Sequence, residues 1–517
     1  MPYDYRPFAY VAAPGLSAPE PRHKVVIVGA GPIGLAMALE LANHGIACTV
    51  LDDNNVVSVG SRAICWSKRS LEIMDRLGVG ERARDKGVTW KIGRTFHRDA
   101  EVFNFDLLPE DGHKMPAFVN LQQYYVEEYL VEAAQANPLV DVRFLNKVTG
   151  LRQADDHAMV EIETPDGTYG LEAEYLIACD GAKSPLRGMM GLEFEGELFE
   201  EKFLICDLSF KADFPTERRF WFEPTFHAGQ TALLHKQADD TFRIDLQLGW
   251  DADVEEEKKP ENVRPRIAQF LGHDDFEIEW LSIYTFQCRR MERFVHDRVI
   301  FVGDSAHIVS PFGARGGNGG LQDVDALGWR LAAVLDGRAP AALLRDYDAE
   351  RIHAADENIL NSTRATRFMT PDDGVERLFR DQVLALAAKA PFARGWVNSG
   401  RLSVPCVYPL EDAPDAAGLP AVSRPGAVAP DAPQGNGWLM TALGGRMVVL
   451  GVGCTPPEVD GAACVTAEVN DHVRARYLGD AAQAVYLIRP DQVVAARWTD
   501  ADAGAVSAAI ARVWRTA

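Results

Sequence analysis

Residues 24–34 read Lys-Val-Val-Ile-Val-Gly-Ala-Gly-Pro-Ile-Gly, and this stretch decides the fold of the 517-residue chain. β-Branched residues run into a GxGxxG turn, a helical segment follows over residues 35–43, and an apolar strand over residues 46–51 ends at Asp52-Asp53. In such a βαβ unit the glycines permit a tight turn close to a pyrophosphate, and the acid accepts ribose hydroxyls. Asp52 lies 23 residues after Gly29, so we predict a dinucleotide site. The unit alone leaves FAD and NAD(P) open.

The composition argues against several classes of partner and cellular location. The net charge of −22 argues against nucleic-acid binding, which needs a basic face. The eight cysteines have no CxxC spacing and the twelve histidines form no HExxH motif, so we expect reduced thiols and no metal site. Residues 1–22 lack the pattern of a signal peptide, and the apolar runs are far shorter than the roughly 20 residues of a membrane-spanning helix. We expect a cytoplasmic protein that binds neither membrane nor nucleic acid.

The periodicity of apolar residues divides the chain. Helical spacing over 67–77 and 125–136 gives way to a hairpin pattern over 158–172, and strands then continue to residue 296, with strict alternation over 242–248. Helical signals return after Gly320 and end near residue 398.

The last part of the chain reads as a linker and a small α/β unit. Six prolines over 409–436 indicate an extended linker. Strands over 447–451 and 484–488 and a helix over 503–514 follow. The predicted parts of the whole chain are an N-terminal extension (1–22), a first dinucleotide-binding part with substrate-side loops near 90–120 (23–190), a substrate-domain sheet (191–296), a second dinucleotide-binding part with helices (297–400), a linker (401–436) and the terminal unit (437–517).

Two further motifs follow the first in the chain. An apolar strand over residues 299–302 ends in Gly303-Asp304, and a glycine-crowded turn over 313–320 opens a helix near Leu321. Such a turn directs backbone N–H groups and a helix N-terminus at an electron-rich ligand. The third motif, residues 175–187, is a strand that ends in Asp180-Gly181 and is followed by Arg187.

Together the three motifs resemble those of the flavoprotein aromatic hydroxylases with the para-hydroxybenzoate hydroxylase fold, over roughly residues 24–400. Within that family the chain is similar to the 3-(3-hydroxyphenyl)propionate and phenol hydroxylase branch, whose closing strands residues 486–498 resemble. The resemblance implies an α/β fold: a Rossmann-like FAD-binding domain of the GR2 type, an inserted mixed β-sheet substrate domain and a C-terminal thioredoxin-like domain. That last domain lacks CxxC here, which favours a packing role.

The resemblance also implies a tightly bound, non-covalent FAD, with NAD(P)H as a transient co-substrate. Glycines of the first motif would line the pyrophosphate, Asp52 would hold the adenosine ribose, Arg62 would reach the phosphates, and Asp304 would bind the ribityl hydroxyls. The N–H groups that follow Arg315 would face flavin N1 and the C2 carbonyl. The implied cofactor-binding residues are Gly29, Gly31, Pro32, Ile33, Gly34, Asp52, Asp53, Arg62, Gln123, Val148, Asp304, Pro311, Gly316, Gly317 and Asn318.

The reacting residues are less well defined. By resemblance, Arg243 would lie near the isoalloxazine and the nicotinamide path, and the carbonyl of Pro311 would line the reaction cavity. Asp207 and His227, as well as His235, are candidates for the base that ionises a phenol, since phenolate is the better nucleophile. Each has a structural alternative, a salt-bridged aspartate or a satisfied histidine. The family's usual acid two residues beyond the phosphate arginine is Ile64 here, and its Asn-Leu pair is Ala326-Leu327, so the resemblance assigns no base.

The implied function is that of an FAD-dependent, NAD(P)H- and O2-consuming monooxygenase, which hydroxylates a phenolic substrate through a flavin C4a-hydroperoxide. The alternative is an FAD-dependent oxidoreductase of the same fold that does not hydroxylate. A halogenase of related fold would carry a WxWxIP segment, which the chain lacks, and a scaffold protein would need none of the three motifs. The expected partners are the phenol, O2 and NAD(P)H, with a homodimer left open.

Overall fold

The computed structural model describes residues 3–211, 214–249, 252–371, 374–397 and 402–516. These residues form a layer built on a mostly parallel sheet, a second eight-stranded sheet and a small terminal α/β unit. The α/β fold class predicted from the sequence is confirmed. No helix in the described ranges is long and apolar enough to cross a membrane. The predicted boundary between residues 400 and 401 lies outside the described residues.

The first sheet is built around His23–Val28, the apolar run that precedes the first motif. This strand pairs in parallel with Cys48–Leu51 on one side and with Gly167–Ala178 on the other. The carboxyl ends of these strands and of Val299–Phe301 meet at one edge, where open α/β sheets bind their ligands. In spatial order the main strands are Val295–His296, Val299–Phe301, Gly167–Ala178, His23–Val28, Cys48–Leu51 and Val140–Arg143, and the predicted hairpin adds Ala158–Thr164 and then Lys147–Gln153.

Helices surround this sheet. Pro32–Asn43 packs against both Gln123–Ala136 and Gly316–Leu335. The last of these begins five residues before the predicted Leu321, because the glycines of the second motif form its first turn rather than a preceding loop. The other helices of the layer are Lys68–Arg76, Gly80–Lys86, Pro185–Met189 and Leu344–Met369, with short 3-10 turns at Pro14–Leu16, Gly303–Ser305 and Ala341–Leu343. Helices Gly374–Ala387 and Pro391–Val397 pack instead against strand Ala100–Asp106 of the second sheet. A three-stranded sheet of Cys65–Ser67, Phe118–Asn120 and Val88–Trp90 lies beside them.

The second sheet contains the strands of the segment predicted to be the substrate domain. Its order is His307–Ile308, Glu277–Arg290, Glu195–Ser209, Thr241–Gln247, Thr231–Lys236, Arg218–Phe222, Ile92–His97 and Ala100–Asp106. Helix Pro260–Leu271 covers one face, where its Val263 and Ile267 join an apolar cluster with Leu204 and Ile244. The short helix Val254–Glu257 precedes it, and a 3-10 turn lies at Thr225–His227. The opposite face, with Arg243 and Asp245, is left to line a cavity.

The terminal unit has a four-stranded sheet in the order Ala463–Ala467, Val448–Val452, Ala484–Ile488 and Val494–Trp498, and only the first pair is parallel. Its helices are Leu439–Leu443, Asp471–Val473, the π-helical turn Arg474–Leu478 and Ala503–Val513, beside the small hairpin of Pro433–Gln434 and Gly437–Trp438.

The proline-rich segment is not a free linker. Leu419, Ala429 and Ala432 are buried in the core of the terminal unit, and Val428 bridges to Val493. A 3-10 turn lies at Ala421–Ser423. Prolines prevent regular secondary structure here, but the apolar side chains between them pack inward, which the composition alone did not predict.

The terminal unit is joined to the first layer by buried ion pairs. Arg489 donates to Glu350 at 2.6 and 2.9 Å and to Asp491 at 3.0 and 2.5 Å. Arg69 donates to the carbonyl oxygen of Asp491 at 2.8 Å and to Asp325 at 2.5 Å. The terminal unit is therefore held by charges on helices of the first layer.

Candidate active site

A single cavity of about 980 Å³ lies between the carboxyl edge of the first sheet and the open face of the second sheet. All three sequence motifs reach it. The predicted site residues that line it are Gly29, Gly31, Pro32, Ile33, Asp52, Asp53, Arg62, Gln123, Val148, Arg243, Asp304, Pro311, Gly316, Gly317 and Asn318.

The first glycine turn is shaped for a ligand that approaches its backbone. Gly29 has a φ of +106°, and a Cβ there would lie 2.4 Å from the carbonyl oxygen of Cys179. A Cβ at Gly34 would lie 1.9 Å from the carbonyl oxygen of Gly29, so this glycine permits the helix to pack on the strand. A Cβ at Gly31 would meet open space, because this position faces the cavity. The N-terminus of helix Pro32–Asn43 therefore presents free N–H groups to an anion.

Asp52 stands at the end of the second strand, as predicted. Its carboxylate accepts hydrogen bonds from Ala30 N at 2.5 Å and from Asn54 N at 2.8 Å. Burial raises the pKa of Asp52, although these two N–H groups oppose the shift. The neighbouring Asp53 is exposed at the cavity rim.

Gln123 supports the loop that carries Arg62. Its side chain accepts from Ala63 N at 3.0 Å and donates to Glu127 Oε1 at 2.7 Å. Its amide is thus already bound to protein atoms, and it positions the loop that lines the cavity.

Asp304 presents an open carboxylate to the cavity. The side chain is exposed to the cavity space, and no hydrogen bond to it is found within the described part of the chain. Desolvation by the protein around the cavity raises the pKa of Asp304, and the interactions with His307 and Arg62 oppose that shift. A carboxylate in this state is suited to accept hydrogen bonds from ligand hydroxyls.

The second glycine turn lies beside Asp304. Gly316, Gly317 and Asn318 form the first turn of helix Gly316–Leu335, and all three line the cavity. The Asn318 side chain is held in place, since it accepts from Ser67 N at 2.9 Å and donates to Cys65 O at 2.8 Å. Unpaired N–H groups and the positive end of the helix dipole therefore face the cavity, where they suit a ligand with negative charge.

The third motif, residues 175–187, is hydrogen-bonded to the loop that carries Asp304. Asp180 accepts from Ser184 Oγ at 2.8 Å and from Leu186 N at 3.0 Å. Arg187 donates to the carbonyl oxygens of Ser305 at 2.9 Å and Ala182 at 2.8 Å. The motif thus anchors the loop that carries Asp304.

Two predicted bases are not at the cavity. Asp207 forms a bidentate pair with Arg243, with distances of 2.8 and 2.7 Å, and accepts from Gln237 at 2.9 Å. It is the ion-pair partner of Arg243 rather than a free base. His227 lies in a 3-10 turn, where its Nε2 donates to Gln247 O at 2.6 Å. Neither belongs to the described cavity lining.

Sequence reasoning left two lining residues, Arg218 and Tyr284, unassigned. The candidate base His235 also faces the cavity, together with Asp245 and Phe312. Strand alternation placed Asp245 on the same face as Arg243, but no local pattern singled out Arg218.

No metal site was predicted. Within the described ranges, His97, Glu223 and Asp381 come close enough to hold an ion, but Arg380 pairs with both carboxylates.

The prediction for Asp304 can be tested directly. Asp304→Ala is expected to weaken FAD binding by about 1.5–3 kcal/mol, roughly 10- to 150-fold in Kd, because the ribityl hydroxyls lose a charged acceptor. Flavin fluorescence titration of the apoprotein measures this. Asp166→Ala, at an exposed hairpin turn, serves as the control. Equal affinity of the wild type and the Asp304 variant would remove Asp304 from the cofactor site.

Comparison with known proteins agrees with this geometry. A family model described as "FAD binding domain" matches residues 22–362, more than half of the chain. The 12-dehydrotetracycline 5-monooxygenase/anhydrotetracycline 6-monooxygenase of Streptomyces rimosus is 30% identical over 512 residues, which cover 93% of this chain and 96% of that protein. A 3-(3-hydroxy-phenyl)propionate/3-hydroxycinnamic acid hydroxylase of Burkholderia vietnamiensis is 29% identical over 488 residues, which cover 90% of this chain and 84% of that protein.

A solved structure supports the fold. The crystal structure of the flavin-dependent monooxygenase PieE in complex with FAD and substrate aligns with a TM-score of 0.80 at 21% identity, over 97% of this chain and all of that chain. The resemblance stated from the sequence is confirmed, as is FAD as the cofactor. The chain belongs to the FAD-binding-domain family of flavin-dependent monooxygenases.

Proposed function

We propose that the chain hydroxylates a phenolic aromatic substrate and consumes NAD(P)H and O2. The observation that carries the proposal is that one cavity joins the residues predicted to bind FAD to an apolar chamber under the second sheet. Side chains with apolar or aromatic surface wall this chamber: Phe203, Ile205, Leu233, Tyr284 and Phe312. Phe203 and Phe312 meet edge to face, with ring centroids 5.2 Å apart. A planar ring fits between such walls.

The residues around the chamber have separate tasks in this proposal. When bound, FAD supplies hydride acceptance and O2 activation. The first turn of helix Gly316–Leu335 would stabilise negative charge on the reduced cofactor. The apolar walls would exclude water, which otherwise diverts activated oxygen into H2O2. The hydroperoxide route, the placement of Arg243 near the nicotinamide, the role of the Pro311 carbonyl and a homodimeric assembly stay predictions.

The experiment is anaerobic mixing of the FAD-loaded protein with NADH or NADPH, with and without a panel of phenols. We expect a phenol to accelerate the bleaching of flavin absorbance. In air, we expect a product heavier by one oxygen atom derived from 18O2. Reduction that ignores every phenol, with no hydroxylated product by mass spectrometry, would favour the non-hydroxylating oxidoreductase.

A further inference from the structure

The open face of the second sheet brings three ionisable side chains to the cavity. Arg218, His235 and Asp245 lie on the neighbouring strands Arg218–Phe222, Thr231–Lys236 and Thr241–Gln247. In the ladder Leu233 pairs with Asp245 and His235 pairs with Arg243, so the side chains of all four point to the same face.

Two polar atoms of this group lack partners. Arg218 Nε and Asp245 Oδ1 are buried, and neither has a hydrogen bond within the described part of the chain. Asp245 Oδ2 lies 3.9 Å from His235 Nε2, which is too far for a hydrogen bond. Leaving a buried polar group without a partner is unfavourable, so a site that keeps two such groups is suited to a ligand that satisfies both.

The two arginines on this face, Arg243 and Arg218, differ in their ion-pair partners. The Arg243 guanidinium is committed to Asp207, with which it forms two hydrogen bonds. Arg218, in contrast, has no carboxylate within ion-pair distance among the described residues, although it stands at the edge of the apolar chamber. The cavity lining therefore includes one cation, Arg218, and one carboxylate, Asp245, each with a buried atom that has no hydrogen-bond partner among the described residues.

We propose that Asp245 takes the proton of the substrate's acidic ring hydroxyl and that Arg218 binds the oxyanion that results. This inference deepens the proposed function and rests on it. The O–H bond of the substrate breaks, its electron pair stays on the oxygen, and the proton forms an O–H bond at Asp245 Oδ1. The carboxylate becomes neutral as the ring oxygen becomes negative, so the net charge of the site is unchanged. The oxyanion then makes the ring electron-rich before oxygen transfer.

The electrostatics around Asp245 support this assignment. Burial raises the pKa of Asp245 to about 6, even though Arg243 and Arg218 act against the shift, and Asp207 adds to it. Burial lowers the pKa of His235 well below its usual value, with Arg218 and Arg243 contributing, so the imidazole stays neutral. Cys65 approaches His235 Nδ1 at 3.8 Å from the small sheet. Among these groups Asp245 is the one whose charged form is a competent proton acceptor near neutral pH.

The first test needs no turnover. The probe is 4-nitrophenol, bound to the oxidised, FAD-loaded protein at a pH where the free probe is neutral. We expect the bound probe to absorb as phenolate without releasing a proton to solvent. Asp245→Asn should release about one proton for each phenolate it binds, because the internal acceptor is gone. Arg218→Gln should lose the downward shift of about 1–3 units in the ionisation midpoint that a nearby cation causes.

The second test uses the phenol that the wild type hydroxylates. Asp245→Asn is expected to lower kcat about 100-fold while KM stays near that of the wild type, and the fall in rate below about pH 6 should disappear. Asp240→Asn is the matched control, because Asp240 is exposed in the loop between the same strands at a φ of +55°, which asparagine tolerates. FAD content and unfolding temperature are measured for each variant.

Three results would overturn the inference. They are a wild-type protein that binds no nitrophenolate, an Arg218→Gln variant with an unchanged midpoint, and an Asp245→Asn variant that releases no proton or keeps its kcat. Failure of the proposed function would look different, since the wild type would then form no hydroxylated product while the binding tests could still succeed.

Discussion

Asp323→Ala is expected to lower the free energy of unfolding by about 3–5 kcal/mol, as when one member of a buried ion pair is removed. Asp323 and Arg351 are fully buried and joined at 2.6 Å. The same carboxylate accepts from His307 Nε2 at 2.7 Å and from Gly303 N at 2.9 Å. Its loss leaves a buried guanidinium unpaired and frees the loop next to Asp304, so FAD should also dissociate more readily.

The pH dependence of this effect follows from the same contacts. Burial alone would raise the pKa of Asp323, but the charges of His307 and Arg351 outweigh burial and hold it at about 2. Because this value is below the roughly 3.9 of an unfolded chain, the stabilisation is complete above about pH 4 and is lost as pH falls toward 2.

Denaturant unfolding of the wild type and the variant at neutral pH measures this first prediction. Asp336→Ala is the control, since Asp336 ends the same helix at the surface and its pairs are exposed, where such pairs contribute about 0–1 kcal/mol. A similar small loss for both variants would mean that the buried cluster is not a major stabilising element.

Arg489→Ala is expected to cost a similar amount, about 3–5 kcal/mol, and to loosen the terminal unit. Among the described ion pairs, Glu350 and Asp491 would then share Arg330 alone, at 2.7 and 3.7 Å, where both carboxylates are buried. Two carboxylates with one buried cation leave an uncompensated charge. Limited proteolysis should cut the variant first within residues 402–438, and denaturant unfolding should show the loss of stability.

Arg512→Ala provides the comparison for this second prediction. Arg512 belongs to the same terminal unit but is exposed and donates only to the carbonyl oxygen of Asp412, at 3.2 Å, among its described hydrogen bonds. A protease pattern for Arg489→Ala that matches the wild type would show that the ion pairs do not hold the terminal unit in place.

The parts of the site that follow from local sequence could be predicted. Gly29, Gly31 and Gly34 lie in one short turn, and Asp304 ends an apolar strand, so spacing alone located them. The helix of the second motif was predicted to start near Leu321, but it starts at Gly316. Because glycine has a low helix propensity, the glycines of the first turn did not indicate a helix in the sequence.

The parts that depend on strand register could not be predicted. Asp207 and Arg243 are 36 residues apart and meet only because their strands pair directly. The pairing of Thr231–Lys236 with Thr241–Gln247 brings His235 to the cavity, whereas His227 lies in a 3-10 turn outside these strands. Whether an acid is paired or open therefore depends on contacts that a single sequence does not contain.

Arg243 also connects the second sheet to the loop of Ser61 and Arg62, and this connection limits which substitutions the cavity tolerates. Besides Asp207, it donates to the carbonyl oxygens of Ser61 and Arg62, in the loop that lines the cofactor end of the cavity. A substitution on strand Thr241–Gln247 that changes the shape of the chamber is therefore expected to shift the loop of Ser61 and Arg62 as well. Among the described side-chain hydrogen bonds, strand Arg218–Phe222 has no such tie, and strand Thr231–Lys236 has one long contact, between His235 Nδ1 and Cys65 Sγ at 3.8 Å. Changes of substrate preference are therefore most accessible through Arg218–Phe222, where substitutions would disturb the loop of Arg62 least.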